Sequence, residues 1–182
     1  MHLILIKLQG GDRRSVGRSE EVVADILGNP GLFSVLVEGL DADDPIVRMR
    51  AADAMEKITA FRPEYLAPHK KLLIALAAIS RQKEIRWHLA QMLPRLKLNR
   101  VERQHVVGIL TEYFDDNSSI VKTLAMQALA DLARQTPALR QPVLLHLKEL
   151  TLIGTPAMKA RGRKLCAELE RLPSPPLEGD HT

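Results

Sequence analysis

Apolar residues in this chain recur at helical spacing, and they do so in four blocks. VRMRAADAMEKI (47–58), IRWHLAQMLPRL (85–96), VKTLAMQALADL (121–132) and MKARGRKLCAEL (158–169) align without gaps, their first residues 38, 36 and 37 positions apart. Five columns stay apolar or small. They are Val47, Ile85, Val121 and Met158; Ala51, Leu89, Ala125 and Gly162; Ala54, Met92, Ala128 and Leu165; Met55, Leu93, Leu129 and Cys166; and Ile58, Leu96, Leu132 and Leu169. Offsets of 0, 4, 7, 8 and 11 trace one face of an α-helix. The pattern predicts helices over 45–59, 82–98, 118–135 and 156–172.

Each period leaves room for a first helix before the block. These read as 31–40 (after a shorter helix over 20–27), 64–79, 100–114 and 138–153. The breaks between helices carry cap and turn residues: Asp43-Asp44-Pro45, Arg62-Pro63, Asp115-Asp116-Asn117-Ser118, Thr136-Pro137 and Gly154-Thr155-Pro156. Asp, Asn, Ser or Thr ahead of a helix satisfies its open amides, and Pro suits a first helical position. Pro68 and Pro142 are placed in first turns. Pro94 falls inside a second helix, where the missing amide predicts a kink or a break.

Helix pairs of this period, stacked in line, make an α-solenoid, in which each pair is stable only beside its neighbours. LDADDPIVRMRAADAMEKI (40–58) and, less closely, FDDNSSIVKTLAMQALADL (114–132) resemble the HEAT-repeat family, and the likeness extends over about 20–172. The resemblance implies an all-α, right-handed solenoid of about four helix-pair repeats over 19–172. The second helices would line its concave face. It also implies a ladder of cations (Arg48, Arg86, Lys122, Lys159), each paired with an acid in the preceding turn. Asp44 stands ready for Arg48, and Asp115 and Asp116 for Lys122. The second and fourth repeats lack such an acid, which leaves Arg86 and Lys159 as candidates for partner contact.

The ends read differently. MHLILIKL is apolar but short, and GGDRRSVGRS follows it where a secretory signal would have a cleavage site, so a strand or extended arm is expected over 1–18. The alternative is a segment exchanged with a partner. PSPPLEGDHT, with residue 173 at its edge, is expected to form a disordered tail over 173–182.

Composition narrows the class. Of 182 residues, 46% are hydrophobic but only 3% aromatic, so the core is aliphatic. A lone Cys166 excludes an internal disulfide and suits a reducing, cytoplasmic setting. No apolar run is long enough for a membrane span, and none is expected. Net charge is only +4, but the predicted second helices carry +1, +3, +1 and +3, against about −2 in all for the first helices. A basic concave face of this kind fits an acidic protein surface, or a phosphate backbone as the alternative.

Catalytic motifs are absent. There is no HExxH, paired CxxC, GxxxxGK[ST] or GxGxxG, and no two histidines stand four apart, so neither metal nor cofactor is expected. Asp43, Asp44, Asp115 and Asp116 read as turn and helix-start residues, and Cys166 as a core residue. Some HEAT-like proteins are alkylpurine DNA glycosylases, which hold a damaged base against aromatic side chains. Trp87, Tyr113 and Phe114 are the thin supply for that activity here. The expectation is therefore a non-enzymatic scaffold that binds a macromolecular partner, a protein before a nucleic acid, through Arg50, Arg86, Trp87, Lys159 and Arg161. Arg and Trp are the residue types that dominate interface energetics.

Overall fold

The computed structural model describes residues 2–11, 15 and 17–173. The expected tail, beyond residue 173, and part of the basic linker lie outside the described residues. The described residues are all-helical, with no strand. Their α-helices are α1 (Leu3–Ile6), α2 (Ser19–Gly28), α3 (Phe33–Glu38), α4 (Pro45–Phe61), α5 (Lys70–Ile79), α6 (Lys83–Met92), α7 (Arg100–Glu112), α8 (Ser119–Gln135), α9 (Arg140–Ile153) and α10 (Pro156–Glu170). No helix among them is long and apolar enough to cross a membrane. The contacts divide the chain after Ile109 into two compact units.

Every position of the five sequence columns is buried, in both units. That burial is why these segments are helices: Ala, Leu and Met at the column offsets give each second helix one continuous apolar face. In the first unit, α4 packs against α2, α3 and α6, and α5 against α6. In the second, α10 packs against α8 and α9.

Caps and breaks follow the turn chemistry. The Asp44 carboxylate accepts from the Ile46 amide at 2.8 Å, and Asp116 accepts from the Ser118 amide at 2.7 Å. Asn99 and Glu102 cap each other's amides reciprocally at 2.9 Å and start α7. At Pro94 the α-helix stops: α6 ends at Met92 and a 3-10 turn runs Leu93–Arg95. Pro68 lies in the 3-10 segment Pro63–His69 that leads into α5, and Pro142 in the first turn of α9.

Two expectations need correction. The N-terminal segment is neither a strand nor extended, because Leu3–Ile6 forms a helical turn capped by His2. It packs on its own chain, with Ile4, Leu5 and Leu8 buried. Gly39 makes room for it, since a Cβ there would lie 2.8 Å from Leu5 Cδ2.

Second, Arg48 does not bond the Asp44 carboxylate, which is spent on its cap. Arg48 Nη1 donates to the Ala42 carbonyl at 2.6 Å and the Asp43 carbonyl at 3.0 Å. Its Nε donates to Gln82 Oε1 at 2.9 Å, and Gln82 returns a bond to the Pro45 carbonyl. Arg86 repeats the geometry, Nε donating to the Ser80 carbonyl at 2.7 Å. Both cations reach six residues back, to a carbonyl left open where the first helix of the pair ends.

Gly162 is buried, and Thr151 packs against it, so an added Cβ would lie 1.9 Å from Thr151 Oγ1. Arg163 beside it is exposed where Ala52, Ala90 and Met126 are buried.

Candidate functional site

The five residues expected to contact a partner are not alike. Arg50 is only 1% exposed. Its guanidinium donates to the carbonyls of Leu8 (2.9 Å), Gly10 (2.6 Å) and Ser15 (3.1 Å), and it fastens the N-terminal segment to α4. The reason is positional. In three of the four blocks the fourth residue interacts with an element earlier in the chain. Arg161 donates to Gln127 Oε1 of α8 at 2.7 Å, and His88 of α6 lies in the field of Asp53 of α4. For Arg50 the preceding element is the N-terminal segment. Gly17 completes the fit: it sits at φ +57°, and a Cβ there would lie 2.7 Å from Arg50 Cζ.

Arg86, Trp87, Lys159 and Arg161 are half-buried. Arg86 and Trp87 belong to the first unit, Lys159 and Arg161 to the second. Trp87 lies edge-on to His88, with ring centroids 5.7 Å apart. Burial holds the His88 imidazole below its usual range despite nearby Asp53, Glu56 and Glu84, and its Nδ1 is buried with no hydrogen-bond partner.

Several basic residues of the second helices are paired with acids. Lys57 pairs with Asp53 at 3.0 Å and with Glu20, Arg95 with Glu56, and Arg134 with Asp131 and Glu168. Arg95 Nη1 also donates to the Glu56 carbonyl at 2.7 Å and Thr59 Oγ1 at 3.0 Å. These bonds tie α4 to the turn after α6, and α8 to α10. The partners in three of these pairs, Lys57 with Glu20, Arg95 with Glu56 and Arg134 with Glu168, stand 34–39 residues apart, so sequence proximity does not reveal them.

Large apolar side chains outside the core include Phe61 on α4 and Ile120 on α8, and they group on two of the first helices. Leu72 and Ile79 project from α5, and Leu145, Leu152 and Ile153 from α9. The sequence analysis placed no partner-contact residue on these helices. The signal was present, since Leu72 and Ile79 share a stripe seven residues apart. Beside each stripe lies a groove: one of about 570 Å³ against α3 in the first unit, and one of about 530 Å³ bounded by Phe114, His146 and Ile153 in the second.

Two residues singled out for chemistry are core residues. Cys166 is buried, and burial pushes its thiol above the usual range, which disfavours the thiolate a nucleophile requires. Tyr113 is 2% exposed, so one of the aromatics a base-holding cleft would need is withdrawn from the surface. Among the described residues no cluster of His, Cys, Asp and Glu is arranged to hold a metal. No family model, curated protein or solved structure matches the chain.

Proposed function

We propose that the protein is a HEAT-like α-solenoid module, non-enzymatic, whose work is to bind another protein. The observation that carries this reading is an exposed apolar stripe within each unit, Leu72 and Ile79 on α5 of the first and Leu145 and Leu152 on α9 of the second. Grouped apolar side chains bordering a groove mark macromolecular docking, and phosphate backbones offer them nothing. The half-buried Arg86 and Trp87 of the first unit, and Lys159 and Arg161 of the second, would each add polar contacts that favour an acidic surface on the partner. Arg50 has no part in them, because its guanidinium is committed within the fold.

The test is partner recovery from native extract on immobilised protein. Wild type is compared with Leu72→Asp/Ile79→Asp, Leu145→Asp/Leu152→Asp and Arg86→Glu/Lys159→Glu. The reading predicts a defined protein retained at about 200 mM salt, where multi-phosphate contacts have weakened strongly. Recovery falls with at least one apolar pair reversed and more modestly with the charge pair. Recovery untouched by all three variants, or nuclease-sensitive recovery, would overturn it in favour of a nucleic-acid-binding module.

A further inference from the structure

The groove in the first unit has walls of unlike chemistry. One wall is α5, which presents Leu72, Leu76 and Ile79 at i, i+4 and i+7. The other is α3 and the turn after it, with Val37 and Leu40 at the floor and the carboxylates of Glu38 and Asp41 exposed along the rim.

Every lining charge is negative. His69 is the only other titratable group on the groove, and burial against Phe33 holds its pKa low, so it is neutral near pH 7. The two lysines that open α5 act elsewhere: Lys70 pairs with Glu102 at 2.7 Å, and Lys71 contributes to the same field.

Both walls are helical, with their main-chain amides already spent within the helices. An extended peptide laid between them would find few main-chain partners, whereas a helix satisfies its own. The 10 residues of α5 span about 15 Å, which matches about three turns of an occupant.

We propose that the groove between α3 and α5 receives an amphipathic helix of a partner protein, its apolar stripe seated on Leu72, Leu76 and Ile79 and its flanking Lys or Arg residues meeting Glu38 and Asp41. The proposal rests on the protein-binding reading and adds the site and the chemistry of the occupant. An anionic membrane surface is disfavoured by the same rim, which repels it.

The probe is a labelled 14-residue helical peptide with Leu at i, i+4 and i+7, Lys on both flanks and Ala elsewhere. A second peptide carries Glu in place of Lys. Fluorescence anisotropy is read with the full-length protein. The wild type is expected to prefer the Lys peptide by about tenfold, the scale of one or two rim charge pairs. Glu38→Lys/Asp41→Lys reverses the preference, and Ile79→Asp removes binding of both peptides while circular dichroism stays unchanged. Equal affinity for the two peptides, indifference to the charge swap, or sedimentation of the protein with anionic vesicles that Ile79→Asp abolishes would each overturn the proposal. Peptide failure alongside retained partner recovery condemns this groove alone. Loss of both condemns the wider reading.

Discussion

Replacing Arg50 with Ala tests how the N-terminal segment is held. Arg50 is the largest fully buried side chain among the described residues. Its guanidinium donates to the carbonyls of Leu8, Gly10 and Ser15 at 2.6–3.1 Å. Hydrogen bonds from a charged donor contribute about 1.5–3 kcal/mol each, but bonds to one group do not add. Gly10 and Ser15 are exposed, so water replaces the arginine at their carbonyls. Leu8 is wholly buried, and its orphaned carbonyl costs about 1–3 kcal/mol.

The expected loss is therefore about 3–4 kcal/mol, a large share of the 5–15 kcal/mol typical of a whole domain. Arg50→Lys keeps the charge but not the planar fork, so it recovers only part. Urea unfolding gives the magnitude, and amide hydrogen exchange over residues 3–10 gives the location. Stability within about 0.5 kcal/mol of wild type, the range of ordinary surface substitutions, would refute the reasoning. Unchanged exchange protection of that segment would refute it equally.

Two further consequences follow from close packing and from burial. Gly162→Ala forces a Cβ onto Thr151 Oγ1 and is expected to cost about 1–3 kcal/mol in urea unfolding, with Thr151→Ala restoring most of it in the double variant. His88, held neutral by burial, titrates below its ordinary value when folded. The unfolded chain thus binds the extra proton first, and stability falls as pH drops below about 6.5 until the lowered folded value is passed. His88→Gln should flatten that slope in urea melts between about pH 7 and 5, leaving the contribution of His69, which is shifted the same way. An unchanged slope would show that His88 is not the group responsible.

The apolar columns were legible in the sequence because burial repeats with the helix. Val47, Ile85, Val121 and Met158 occupy equivalent buried positions although no two blocks share more than a few residues. The stop at Pro94 was equally legible, since a proline inside a helix has a local consequence. What escaped was polar and long-range. Arg50 and Arg86 carry the same side chain, but one is spent on carbonyls about 40 residues away and the other on one six residues away. A carbonyl has no sequence signature, so the destination of an arginine cannot be read from its neighbours. The acid ladder expected for Arg48 failed for a related reason, because Asp44 had a nearer amide to cap. The N-terminal octet misled because its apolar run is too short for its period to be read.

The central claim is that the exposed apolar stripes of α5 and α9 engage protein. Its most direct test is photo-cross-linking in native extract from two positions. A photoreactive aromatic residue replaces Ile79 on α5 or Ala160 on α10, both exposed. The account predicts a discrete, nuclease-resistant protein adduct from position 79 that is stronger than any from position 160. A nuclease-sensitive adduct, or a protein adduct confined to position 160, would contradict it.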